Sequence, residues 1–357
     1  MNANQKEMID YYNNHANHLL SRPSKEAFFY FPNISEIIEL NKDKPECTNR
    51  KIFEGACVLT HTDFEKKSFE EINKAIIEYN LKKQKKPSEK IIFPVNFNSF
   101  LIHRFHQSTN YNCDKTIEAL LEYCKYREVN KNTQLNSNVL EILNSGCIYV
   151  HGRDCRFRPI IVMNIEIFCN LKDKYQTSDF ETTALKFIDY IVDNMLIPGQ
   201  VENWVTIIYM GDASLFNIPD SVKKLMVIVQ NNYRCRLHKS FIIGLSSFMT
   251  FLWEMIKYII DLDTVKKFNI LKNDELHEIQ KLINSKQLEK RFGGEAPNCA
   301  NKFLFPPREV SNEYLLPTDV KDQLLMKQET YLKTIYENKK IVECPYLKSE
   351  ILRYKSK

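Results

Sequence analysis

The sequence predicts an α/β protein with a largely parallel β-sheet, preceded by a small helical module. Two observations carry this expectation. Ile117, Leu120, Leu121 and Cys124 recur at i, i+3, i+4 and i+7, which places them on one face of a helix. From residue 147 the period changes to β-rich runs alternating with helical ones, the pattern of βαβ units around a largely parallel sheet.

In chain order, residues 1–88 form an N-terminal extension that ends in the charged run Leu81-Lys-Lys-Gln-Lys-Lys-Pro87, which reads as a linker. Residues 89–135 form the helical module. Phe100, Leu101, Arg104 and Phe105 open a short helix, and Asn112 or Asp114 can cap the one that follows. The main domain spans 140–296 and a helical tail 297–357, with its helical period around 320–336. Strands are expected at 147–150, 159–168, 204–210, 241–245 and 265–271; helices are expected at 180–195, 219–233, 248–260 and 274–283. The helix at 180–195 buries Phe187, Ile188, Ile191 and Met195 and leaves Lys186 and Asp189 in water. Gly293-Gly294 marks a turn that needs positive φ.

The segment 248–260 is apolar around nearly its whole circumference, through Phe248, Met249, Phe251, Leu252, Trp253, Met255, Ile256, Tyr258, Ile259 and Ile260. Such a helix is either buried between two layers or has one face on the fold and the other on a removable apolar partner, such as an acyl chain or a bilayer.

The chain has 357 residues, 43% of them hydrophobic, with 50 basic against 45 acidic side chains. The resulting net charge of +5 is too small to imply nucleic-acid binding and permits only weak attraction to anionic membranes. The 10 cysteines include no C-x-x-C pair and read as reduced. The opening residues lack the layout of a signal peptide and no apolar run is long enough to span a bilayer, so the expected location is cytoplasmic, with peripheral membrane contact. Lys82, Lys83, Lys85 and Lys86 form a basic cluster that reads either as a solvated linker or as a contact for an acidic leaflet.

Several short motifs occur in a fixed order. Phe100-Leu-Ile-His-Arg-Phe-His106, Asn112-Cys-Asp-Lys-Thr-Ile-Glu-Ala-Leu120 and Tyr126-Arg127 come first; Gly152, Asp154 and Arg158-Pro159-Ile160-Ile161-Val162 follow. Gln230-Asn-Asn-Tyr233 with Arg236-Leu237 is next, then Phe248, Trp253 and Ile256-Lys257, then Asp261, Thr264-Val265 and Lys267, and finally Leu288 and Phe292-Gly293-Gly294. In order and spacing these resemble the CRAL-TRIO lipid-binding and lipid-transfer family over about residues 97–295.

The resemblance implies a mixed, mostly parallel β-sheet floor with helices on one side, an apolar lipid pocket on the other, and a gate helix at 248–260 that opens at the membrane. It implies a phospholipid ligand, with Phe248, Met249, Leu252, Trp253 and Ile256 as the gate's lipid contacts. Thr264 and Lys267 match part of the family's phosphatidylinositol headgroup fixture, whereas Cys235 and Thr109-Asn110 depart from its glutamate and its arginine-lysine pair. Thr206 and Tyr209 are the hydroxyls available on the strand that contacts phosphatidylcholine in the family. From the residues alone, Lys267 is equally a strand-end lysine in solvent, and Thr206 and Tyr209 are ordinary β-formers.

No G-x-G-x-x-G, G-x-x-x-x-G-K-S/T, G-x-S-x-G or H-E-x-x-H motif occurs, so neither a catalytic centre nor a cofactor other than a bound lipid is expected. His15/His18 and His103/His106 lack further metal ligands nearby in sequence. His151, Asp154 and Cys155 are close in sequence but point in different directions on a strand-turn-strand, which argues against a thiol nucleophile. The expected partners are a phospholipid and, transiently, a membrane surface. The alternative readings are a regulatory or scaffold module that presents lipid to a partner such as a lipid kinase, and a carrier of a non-phospholipid such as a sterol.

Overall fold

The computed structural model describes residues 63–83, 89–94, 99–130, 133–155, 157–196, 201–211, 220–244 and 262–299. Three helices form the N-terminal module: α1 (Asp63–Lys82), α2 (Ser99–Ser108) and α3 (Cys113–Asn130). Asn112 Oδ1 accepts from the Lys115 N–H at 2.9 Å and so caps α3. Ile72 and Ile76 of α1 bury against Ile102 and Phe105 of α2 and Leu120 and Cys124 of α3. This corrects the division at residue 88: α1 lies in the stretch read as an extension, yet its apolar stripe completes the core of the module. The side chain of Asn80 then pairs with both backbone groups of Ile91, at 2.9 and 3.0 Å, and ties the chain beyond the basic run to α1.

After α4 (Ser137–Leu143) come β1 (Ile148–Arg153), β2 (Pro159–Asn164), α5 (Ile165–Leu171), α6 (Thr177–Asn194), β3 (Trp204–Tyr209), α7 (Asp220–Asn232), β4 (Leu237–Ile243), α8 (Leu262–Val265), β5 (Phe268–Leu271) and α9 (His277–Gln280). The sheet order is β1-β2-β3-β4-β5; β1 pairs antiparallel with β2 and the remaining pairs are parallel. The α/β class, the mixed mostly parallel sheet and the helices ahead of it are therefore observed.

Several boundaries differ from the sequence expectation: the strand expected at 265–271 covers only Phe268–Leu271, after the short helix α8, and three further differences have a local reason. The run 159–168 is strand only to Asn164, whose Oδ1 accepts from Ile167 N–H and starts a helix. β4 begins at Leu237 because the polar Lys239 and Ser240 pair with Val205 and Thr206, with His238 at the bulge between Leu237 and Lys239. Residues 274–283 hold a 3-10 turn and a four-residue helix, too short to show helical periodicity.

Neighbouring parallel strands need crossover connections, and right-handed crossovers between strands laid down in order all fall on the same side of the sheet. Accordingly α6 and α7 pack on one face, where Phe187, Ile188 and Ile191 meet Ile161 and Trp204, with Val229 against the same cluster. The opposite face presents Tyr149, Ile160, Val162, Val205, Ile207, Phe241, Ile243 and Leu271. A strap formed by residues 276–299 covers it, contributing Ile279, Ile283, Leu288, Phe292 and Cys299. Among the described residues, side chains of the strap thus fill the face on which the resemblance implied a pocket.

The strap passes so close to β1 that Gly152, at φ +71°, has no room for a Cβ beside the Gln287 carbonyl. Gly293 takes φ +88° as the turn expected at the glycine pair requires, and Gly294 lies against Leu288. Asp189, expected in water, is half-buried and holds the helical module in place. It accepts from Arg127 Nη1 at 2.5 Å and from the Tyr233 hydroxyl at 2.7 Å.

Candidate functional site

With the strap filling one face, the described residues offer an apolar surface on the helix side, over β3, β4 and β5. Side chains alternate along each strand, so Thr206 and Ile208 on β3 lie on the face opposite Val205 and Ile207. The register then aligns Thr206 with Ser240, Ile208 with Ile242, Ser240 with Phe268 and Ile242 with Ile270. The result is a strip of four apolar side chains around one hydroxyl pair. Thr206 Oγ1 donates to Ser240 Oγ at 2.7 Å, so the buried hydroxyls satisfy each other within an apolar strip. At the far end, Ile270 is 38% exposed.

Tyr209 lies on the other face. Its ring packs edge-on against Phe292 at 5.7 Å between centroids, and the Arg291 guanidinium lies over it at 5.5 Å. Thr206 and Tyr209 are three residues apart on a strand of period 2, so one surface cannot hold both. Lys267 is not a solvated strand-end lysine: its Nζ donates to the Leu237 carbonyl at 2.8 Å, and its own carbonyl accepts from Ser240 N–H. Thr264 accepts the Lys267 N–H through its carbonyl at 3.0 Å, which forms the tight turn leading into β5. Phe248, Met249, Leu252, Trp253 and Ile256, and with them the gate helix 248–260, lie outside the described residues.

The positions that depart from the phosphatidylinositol fixture have structural employment. Cys235 sits at φ +56°, and its carbonyl accepts from Arg104 Nη1 and Asn203 Nδ2 at 2.8 and 2.7 Å. Thr109 Oγ1 lies 2.6 Å from Thr116 Oγ1 in the α2–α3 turn, where Asn110 takes φ +53°. Sequence reasoning missed Ser240, because only the register reveals that it faces Thr206. It also missed Arg234, whose guanidinium bonds Ser108 Oγ at 3.2 Å and stacks over Phe105. His151, Asp154 and Cys155 do diverge: Asp154 pairs with Arg158 at 2.8 Å, Cys155 is exposed and His151 is buried.

A sequentially ordered sheet with every described crossover helix on one face and a strap across the other, docked to a three-helix module, is the fold of a single α/β domain rather than of two lobes around a cleft. Residues 143–294 match the CRAL/TRIO domain. The chain is similar to phosphatidylinositol/phosphatidylcholine transfer proteins of Arabidopsis thaliana. It is 25% identical to SFH11 over 222 residues, which is 56% of this chain and 56% of that protein. It is 26% identical to SFH4 over 133 residues, 36% of this chain and 21% of that one. The chain thus spans between a fifth and just over half the length of these relatives. Among solved structures it resembles Sfh5, with a TM-score of 0.53 at 14% identity over 75% of this chain and 97% of that one, a likeness of fold. No helix of the described residues is long and apolar enough to cross a membrane.

Proposed function

We propose that this chain binds a phospholipid on the helix side of its sheet and transfers it between membranes, without a catalytic centre of its own. The observation that carries the reading is the strip Ile208, Ile242, Phe268 and Ile270 with the Thr206–Ser240 pair at its centre, within the residues that match the CRAL/TRIO domain. A carrier must shield acyl chains from water, and each buried CH₂ is worth about 0.8 kcal/mol, so two long chains need an apolar wall of this kind.

β4 and β5 are adjacent parallel strands, and in this proposal the connection between them crosses in the usual right-handed sense, over the face of α6 and α7. In this proposal the apolar segment 248–260 covers the strip with one face and exchanges its outer face between water and bilayer, which makes it the gate. Phe248, Met249, Leu252, Trp253 and Ile256 are its lipid contacts, and Thr264 and Lys267, in the turn that leads into β5, are the candidate headgroup contacts. Tyr209 is not part of this wall, because its ring packs against Phe292. The protein then works at the cytoplasmic surface of membranes, with a phospholipid as ligand and no other cofactor.

Native mass spectrometry of copurified lipid, paired with transfer of labelled phosphatidylinositol and phosphatidylcholine between liposomes, tests the reading. A stoichiometric lipid and movement of at least one species are expected. An empty protein that moves neither would sink it.

A further inference from the structure

The strap side of the sheet carries a second cluster, which the lipid reading does not use. His151 on β1 and Glu289 and Cys299 on the strap bring one nitrogen, one carboxylate oxygen and one sulfur within 4.8 Å of one another, and all three residues are buried. His151 lies 138 positions before Glu289 and 148 before Cys299, and the crossing of the strap over β1 brings it to them. Cys299 Sγ is 3.3 Å from His151 Nδ1. Glu289 is oriented by the Cys299 backbone N–H at 2.6 Å, by the Tyr149 hydroxyl at 2.7 Å and by Arg291.

We propose that His151, Glu289 and Cys299 form a site for a thiophilic divalent ion of the Zn(II) type. Imidazole, thiolate and carboxylate are the ligands Zn(II) takes, and three protein ligands leave a fourth position for water or the adjacent Tyr149 hydroxyl. Binding forms the metal–sulfur bond as the Cys299 thiol gives up its proton to solvent, so thiolate and Glu289 together offset the ion's two charges.

Arg291 donates to both oxygens of Glu289, and one of these bonds must yield to the ion. The guanidinium has alternative partners already at hand, lying 5.8, 5.5 and 4.8 Å from the rings of Tyr149, Tyr209 and Phe292. The bound ion would pin the strap to the outer strand of the sheet, on the face away from the lipid strip, and so stabilise the wall without touching the ligand.

The test uses the full chain, reduced and stripped with chelator, titrated with Co(II) as a spectroscopic probe. One equivalent of Co(II) should give a thiolate-to-cobalt charge-transfer band, and Zn(II) should abolish the band and raise the melting temperature. Cys299→Ser should remove both effects, His151→Gln should weaken Co(II) affinity at least tenfold, and Cys113→Ser, on α3, should change neither. Circular dichroism establishes that each variant is folded; if Cys299→Ser is not, the His151→Gln result decides. Absence of the band in the parent chain, or a band of undiminished affinity in the variants, overturns the site. Because the readouts are metal binding and melting, this result is independent of whether lipid is transferred.

Discussion

Arg104 and Glu202 meet in the interior, guanidinium Nη2 2.8 Å from carboxylate Oε2, with side chains 1% and 2% exposed. The pair joins α2 of the helical module to the residue pair preceding β3, and Arg236 at the head of β4 donates to the same carboxylate. Arg104 also donates to the Glu202 and Cys235 carbonyls, so one guanidinium ties three parts of the chain together. Burial, reinforced by Arg236, draws its pKa down to about 10, which leaves it charged at neutral pH.

Removing one member of such a set strands a buried charge, which costs about 3–5 kcal/mol. Arg104→Met is therefore expected to lower the urea midpoint strongly and to make the helical module more susceptible to proteolysis at its junction with the sheet domain. Wild-type stability and cleavage pattern in this variant would show that the two parts do not depend on the pair.

Gly152→Ala should destabilise by about 1–3 kcal/mol, the cost of a strained backbone conformation for a residue with a Cβ. The new methyl group would also collide with the Gln287 carbonyl, forcing the strap away from β1. Thermal melting measures this, and Gly244→Ala is a useful comparison, since a Cβ there meets only ordinary contacts at 3.7 Å although its φ of +77° is also unfavourable. Gly152→Ala should cost more.

Thr206→Val should leave the Ser240 hydroxyl, itself 0% exposed, without its side-chain donor, at a cost of about 1–3 kcal/mol. The double variant Thr206→Val with Ser240→Ala removes both polar groups and should be more stable than the sum of the single changes predicts. In liposome transfer both single variants should slow the lipid that uses the hydroxyl pair more than one that does not. Equal rates for all lipids in all three variants would show that the pair only holds the strands.

His103 and His106, both in the core of the helical module, should make stability fall at acid pH. Burial lowers His103 from 6.5 to about 3, with a smaller contribution from His106, and lowers His106 to about 4. Both bases take up protons in the unfolded chain before they do so in the folded one. Their contribution is thus fully present above the ordinary value of 6.5 and is lost as pH falls from there toward 3 to 4. His103 stacks on Phe69 at 3.8 Å between centroids, so His103→Phe should flatten the acid limb of a stability–pH curve while preserving a ring stack.

Periodicity made the fold class readable because it is a local property. The stripe Ile117, Leu120, Leu121 and Cys124, the alternation from residue 147, and the turn at Gly293-Gly294 each depend on neighbours a few positions away. The order and spacing of short motifs, from Phe100 through Phe292-Gly293-Gly294, pointed to the lipid-carrier fold for the same reason. Asn164 as a helix cap was harder to read, since an Asn after a run of β-formers competes with the strand only through a hydrogen bond made three residues later.

What tertiary structure alone decided is which residues share a face. The strand period puts Thr206 and Tyr209 on opposite faces, but which face each takes is decided by the placement of Ile207 against the strap and of the crossover helices against Trp204. Ser240 became a partner of Thr206, and Cys299 a partner of His151, through register and a strap crossing that involve residues tens to more than a hundred positions apart. Local spacing specifies helices and strands because their hydrogen bonds and side-chain periods close within a few residues. The site depends instead on how those elements stack, which is set by burial of whole apolar faces, a property of the assembled chain.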